Sequence, residues 1–353
     1  MNKNKKYCLA FFSLTLFFLI TTALTVIIAD PYFHYHFPNL DLHYTLKDQR
    51  YQNDGILRHF EYDALIIGTS MTENFKTSEF DKLFNCQSIK TPFAGATYKE
   101  INDNIENAIS YNDSIKYVVR ALDASKFYTD SEEMMYDDYP DYLTNSNIFD
   151  DVYYLFNKTT LFKNVLPLIE TYSKNNRTIT SFDDAYNWHN NFAFGTKVVL
   201  KTYERPNKAE NKKITTAEDI DRFQKNINKN IVETVRNNPQ IEFYYFIPPY
   251  SICYWDKLNQ TQSIEHHLYG EKMIIESLLP YENVHLFSFN NNFDIITNLG
   301  DYKDISHYSG NINSYILRKM SQEKYRLTKD NYQNYLQTIE DYYTHYDYDS
   351  LFQ

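Results

Sequence analysis

Five short apolar runs constrain the fold of this 353-residue chain more than any other feature. They are Asp63-Ala-Leu-Ile-Ile-Gly-Thr69, Gln87 to Thr91, Lys116-Tyr-Val-Val-Arg-Ala-Leu122, Ile241-Glu-Phe-Tyr-Tyr-Phe-Ile247 and Val284-His-Leu-Phe-Ser-Phe289. Each suits a strand buried on both faces, which reads as a continuous run rather than an alternation. Helical patterns lie between them. Ile101, Ile105, Ala108 and Ile109 share one face, and Ile220, Phe223, Ile227, Ile231 and Val235 line a longer helix, capped near Thr216 and stopped at Pro239. Such alternation predicts an α/β fold with a parallel five-stranded sheet, whose ligand site sits at the carboxyl ends of the strands. With 43% hydrophobic residues, including 34 Tyr and 25 Phe among all aromatics, the chain can bury a sizeable core.

Several function classes are excluded early. The seven glycines, at 55, 68, 95, 195, 270, 300 and 310, are too widely spaced for a dinucleotide fingerprint, a Walker A loop or a Gly-x-Ser-x-Gly elbow. A net charge of −11 without a basic cluster argues against nucleic acid as a partner. Cys8, Cys86 and Cys253 form no close pair, and only Cys86 with Cys253 could bond. The histidines lack metal-site spacing, so neither a metal nor another cofactor is expected.

From Tyr7 to Ala29 the chain is charge-free and apolar, long enough as a helix to cross the roughly 30 Å hydrocarbon layer. Lys3, Lys5 and Lys6 precede it and Asp30-Pro31 follow. The positive-inside rule then keeps residues before the anchor cytoplasmic and puts the remainder outside, as a single-pass protein of the cell membrane. A cleaved signal peptide is the alternative, but the apolar run exceeds the usual length and no small-x-small site precedes Asp30. The organisation expected is therefore a cytoplasmic start and anchor over 1–30 and an extracytoplasmic domain over 31–353. Within that domain, residues 127–215 lack strand alternation and read as an insertion or cap, and 321–353 reads as a helical tail with a frayed end.

Two strand ends carry complementary chemistry. Ser70 follows the first run in Gly68-Thr69-Ser70-Met71-Thr72-Glu73-Asn74, where a tight turn and a following helix would expose and polarise the hydroxyl. An ordinary helix cap, with Glu73 completing a capping box, is the bland alternative. After the fifth run comes Asp304-Ile-Ser-His307, spaced so that the carboxylate can orient the imidazole while His307 takes the Ser70 proton.

These residues resemble the SGNH or GDSL hydrolases, in which a serine after the first strand, a glycine after the second, an asparagine after the third and Asp-x-x-His after the fifth form the site. Ser70, Gly95 in Pro92-Phe-Ala-Gly-Ala-Thr97, and Asp304 with His307 match three of those positions. The resemblance spans about Tyr62 to Met320 without the insertion, and implies a flavodoxin-like three-layer α/β/α fold. Gly68-Thr69-Ser70 in place of Gly-Asp-Ser makes it similar to membrane-anchored relatives from alginate O-acetylation and from D-alanine transfer to teichoic acid. The third strand departs from the pattern, with Ala121-Leu122-Asp123 where the family has Gly-x-Asn-Asp. An ionised Asp123 would repel an oxyanion, leaving the hole to the N–H groups of Ser70 and Gly95, with Asn74 as a further candidate donor.

Two functions follow. One is an extracytoplasmic serine esterase or O-acyltransferase acting on envelope polysaccharide or teichoic acid, with Ser70 as nucleophile, His307 as base and Asp304 as its orienting partner. Such a protein would be partnered by a membrane-bound O-acyltransferase that supplies the acyl group. The other is a non-catalytic assembly or binding protein of an envelope polysaccharide pathway, a reading that Asp123 favours and the Asp304/His307 pair opposes.

Overall fold

The computed structural model describes residues 3–38, 42–173 and 178–352; residues 1–2 of the expected cytoplasmic start and 353 of the tail lie outside the described residues. The chain divides into two compact units, Met1–Phe60 with Asp138–Ser181 and Glu61–Asp137 with Phe182–Gln353. Of the stretch 127–215, residues 138–181 fall in the first unit and the remainder in the second.

In the first unit, helix α1 (Lys3–Ala29) is long and apolar enough to cross a membrane. Its side chains are exposed up to Thr21, whereas Val26 and Ala29 near its end are buried. Asp30 turns the chain sharply with φ 37°. Its buried carboxylate accepts the N–H groups of His34 at 3.0 Å, Tyr35 at 2.8 Å and His36 at 3.1 Å, and the Tyr154 hydroxyl at 2.8 Å. Burial pushes the Asp30 pKa up, against the pull of those four bonds. Helix α2 (Gln49–His59) buries Ile56 and Leu57. The short helical segments Val152–Leu155 and Thr160–Val165 pack against α1. Tyr44 bridges to Ile179, which joins the two stretches of chain that make up this unit.

The second unit holds the sheet. Strands β1 (Ala64–Ile67), β2 (Ser88–Lys90), β3 (Tyr117–Ala121), β4 (Glu242–Ile247) and β5 (Val284–Ser288) fall within the five apolar runs. All are parallel, in the order β2-β1-β3-β4-β5, which is the flavodoxin-like arrangement. One register row crosses the sheet as Lys90, Ile66, Val119, Tyr244 and His285.

Right-handed crossovers put α3 (Thr77–Phe84), after β1, on one face of the sheet. The connections after β2, β3 and β4 move in the opposite direction across the sheet, and so place α4 (Tyr98–Tyr111), the helix over 217–237 and Ile264–Leu278 on the other. The packing agrees, since α3 meets Gly310–Ser321 while α4 meets Asn228–Val232, a π turn inside the helix over 217–237. Capping boxes start α4, through Thr97 and Glu100, and the 217–237 helix, through Thr216 and Asp219.

The described C-terminal residues pack against the second unit's other elements. Tyr335, Ile339 and Tyr343 of the helix Tyr332–His345 are buried at four-residue spacing, and Tyr343 stacks on Trp255 at 3.5 Å. Asp349 pairs with Arg205 at 2.8 Å. Cys86 and Cys253 are both free thiols.

Candidate active site

The site lies at the carboxyl end of the sheet, where loops from all five strands converge. After β1 the chain passes through Gly68 at φ 150°, where a Cβ would come within 2.8 Å of the Thr72 side chain. Ser70 then opens a single 3-10 turn, Ser70–Thr72, before α3. No capping box forms here, because Thr69 rather than Ser70 holds the cap position and makes no side-chain cap bond. Instead Ser70 Oγ lies 2.8 Å from His307 Nε2.

On its other side the His307 ring bonds Asp304: Nδ1 lies 2.8 Å from Oδ2 and 3.0 Å from Oδ1. Oδ1 also accepts the backbone N–H groups of Ser306 at 2.9 Å and His307 at 2.8 Å. Burial works to raise the Asp304 pKa, but these bonds and the neighbouring imidazole outweigh it and hold the carboxyl below its ordinary value. An Asp held ionised fixes the proton on Nδ1 and leaves Nε2 free to accept from the serine hydroxyl.

Cross-loop bonds position this chain of groups. Phe93 N–H donates to Gly68 O at 2.8 Å, tying the loop after β2, which carries Gly95, to the loop after β1. Gly95 has φ 71°. Among the described residues, neither Ser70 N–H nor Gly95 N–H donates to a protein acceptor. The Lys126 ammonium, from the loop after β3, donates to Ala96 O at 2.9 Å. Ser251, from the loop after β4, donates its N–H at 3.1 Å and its hydroxyl at 2.8 Å to Ile305 O, between Asp304 and His307. Asn313 reaches back to Met71 O at 2.9 Å.

Asp123 and Asn74 each hold neighbouring groups through their side-chain oxygens. Asp123 Oδ1 caps the turn Ala124–Tyr128 by accepting Ser125 N–H at 2.8 Å and Ser125 Oγ–H at 2.7 Å. Its Oδ2 accepts the Tyr250 hydroxyl. Both oxygens are therefore engaged, each by neutral donors. Asn74 is buried, and its Oδ1 accepts the N–H groups of Trp188 at 3.0 Å and His189 at 3.1 Å. Its Nδ2 is a buried donor without a partner among the described residues.

The stretch that Asn74 holds lines the site. Trp188 meets the His307 ring edge-on, with centroids 5.7 Å apart, and its indole N–H points to Ser70 O at 3.4 Å. His189 Nδ1 accepts Gly310 N–H at 3.1 Å. The Lys303 ammonium sits 4.0 Å from the Trp188 ring centre and 3.9 Å from that of Phe192. Partial burial lowers the Lys303 pKa against the nearby Asp304 and Glu73 charges.

Sequence reasoning misses Lys303, Phe192, His189 and Lys90. Adjacency to Asp304 was the one available signal for Lys303. Lys90 is fully buried in β2, where its ammonium donates to Glu73 O at 2.6 Å and Phe75 O at 2.8 Å, supporting the segment that carries Asn74. Burial pulls its pKa down to about 7, despite the charges of Asp183, Glu73 and Asp184.

No family model matches the chain, and no curated protein matches it. A solved structure from Streptococcus pneumonia, provisionally described as a platelet activating factor, is similar over 81% of this chain and 90% of that one, at 14% identity and a TM-score of 0.36.

Proposed function

We propose that this protein is a serine esterase or acyltransferase of the SGNH kind. The observation that carries the reading is the unbroken hydrogen-bond chain Ser70 Oγ to His307 Nε2 to Asp304, assembled from opposite ends of the sequence at the strand ends. In this reading Ser70 Oγ attacks an ester carbonyl carbon while its proton passes to His307 Nε2. Asp304 stabilises the imidazolium. The tetrahedral oxyanion is held by Ser70 N–H and Gly95 N–H, with Asn74 Nδ2 as a third donor. Collapse expels the alcohol, which takes the proton from His307 and leaves an acyl-Ser70. Water then regenerates the serine in hydrolysis, or a sugar hydroxyl does so in transfer, each giving its proton to His307.

The address supports an envelope substrate. A single N-terminal anchor preceded by lysines favours an extracytoplasmic catalytic unit, and polysaccharide or teichoic acid hydroxyls are the acceptors found there. The acyl donor is then supplied through the membrane by a membrane-bound O-acyltransferase.

A fluorophosphonate probe tests the chemistry on the full-length protein. Labelling that is lost in Ser70→Ala and reduced in His307→Ala is expected. Absence of labelling, together with unchanged envelope acylation in cells carrying Ser70→Ala, would replace this reading with the non-catalytic one.

A further inference from the structure

The first unit exposes more large apolar side chains than a water-facing surface explains. Outside α1 they concentrate in 148–172, where Ile148 is 75% exposed, Phe149 85% and Phe162 58%, with Tyr153, Leu166 and Tyr172 also exposed. Water-facing surfaces seldom carry so dense an apolar patch, and one of this kind marks an interaction site. We propose that 148–172 lies in the interfacial layer of the same bilayer that α1 spans, so that the unit is held by an in-plane segment as well as by its anchor.

Three observations favour lipid as the occupant. The first is continuity, since Val152–Leu155 and Thr160–Val165 pack directly against α1. A second is depth. Starting from Tyr7, about 20 helical residues cross the hydrocarbon layer, which brings the outer boundary to the last turns of α1, where Val26 and Ala29 are buried but Leu24 and Ile28 remain exposed. The third is residue type. Phe and Tyr stand among exposed Lys158 and Lys163, a combination suited to the boundary between headgroups and acyl chains. Leu168 faces inward while Leu166 and Ile169 face outward, so the helix Leu166–Ser173 presents one apolar side to its surroundings.

The proposal rests on α1 as a membrane anchor and is independent of the chemistry assigned to Ser70. Its test uses the full chain in nanodiscs of phosphatidylethanolamine and phosphatidylglycerol, with Cys8, Cys86 and Cys253 replaced by Ser. An environment-sensitive fluorophore is placed singly at Phe149→Cys, Phe162→Cys, Phe12→Cys in α1 and Asn334→Cys in the second unit. Labels at 149 and 162 are expected to emit as in an apolar medium and to be quenched more by lipid carrying doxyl near the headgroup than near the chain end. The label at 12 should be quenched by chain-end doxyl, and that at 334 only by aqueous iodide. Iodide quenching at 149 and 162 equal to that at 334 would overturn the proposal. So would protection from both quenchers with benzophenone crosslinks at 149 to a protein, which would make the occupant a protein partner. An unquenched label at 12 would remove the anchor and the proposal with it. Since all four positions are exposed or in α1, folding is checked by an unchanged melting temperature.

Discussion

Tyr250 donates its hydroxyl to Asp123 Oδ2 at 2.5 Å, so a residue following β4 holds the carboxylate that ends β3. Where the resemblance places an oxyanion-binding asparagine, this chain has a clamp between two loops. Asp123→Asn should therefore lower stability by about 1–2 kcal/mol, through loss of a charge-assisted bond, and change kcat/KM by only a few-fold. Thermal unfolding and ester hydrolysis measure the two effects. A gain in kcat/KM of tenfold or more would show instead that the charge opposes the oxyanion.

Ser70, His307 and Asp304 are expected to act as one unit. Ser70→Ala and His307→Ala should each reduce kcat by at least about three orders of magnitude, and the double variant should be little worse than either, because groups serving one step are non-additive. Asp304→Asn should cost less, with nucleophile and base still in place. Additive losses in the double variant would separate the two residues into different steps.

The depressed pKa of Asp304 sets a direction for stability against pH. A carboxyl whose folded value lies below its unfolded one contributes stability above the unfolded value and loses it as pH falls through the folded value. Chemical denaturation below pH 4 should thus show a smaller loss of stability for Asp304→Asn than for the parent protein. Identical acid limbs would mean that the carboxylate is not held by His307.

Lys90 gives the same sign in a higher pH window, because its pKa too is depressed in the fold. Its folded pKa of about 7 lies below the ordinary lysine value, so above pH 7 the unfolded chain binds a proton that the folded one lacks. Stability should rise from pH 7 towards pH 10 by up to about 1.4 kcal/mol per pH unit from this group. Urea unfolding of Lys90→Met should lack that contribution, and parallel slopes for the two proteins would refute it.

Trp188 touches both the His307 ring and the Lys303 ammonium. Trp188→Ala should reduce kcat/KM by roughly ten- to a hundredfold by loosening the placement of the base, with little change in melting temperature because the ring is only partly buried. Recovery in Trp188→Phe would assign the effect to the aromatic face rather than to the indole N–H.

The sheet was legible because buried parallel strands leave continuous apolar runs that survive without an alignment. Ser70, Asp304 and His307 were legible because strand ends gather residues distant in sequence. The joining of 138–181 with the N-terminal stretch was not, since it depends on pairings such as Tyr154 with Asp30 and Tyr44 with Ile179, which have no period. The role of Asp123 was hidden for the same reason, with Tyr250 lying far along the chain. The docked C-terminal helix did leave a trace, in the four-residue spacing of Tyr335, Ile339 and Tyr343.

The bonds that moor the site's loops end on main-chain carbonyls: Ser251 N–H and hydroxyl to Ile305 O, the Tyr302 hydroxyl to Pro249 O at 2.9 Å, and Phe93 N–H to Gly68 O. Side chains at 188–194 shape the rim without carrying those moorings, apart from His189, which accepts Gly310 N–H. The placement of the three groups thus depends little on the outer rim. Apart from Trp188 and His189, rim side chains can change while Ser70, His307 and Asp304 keep their spacing.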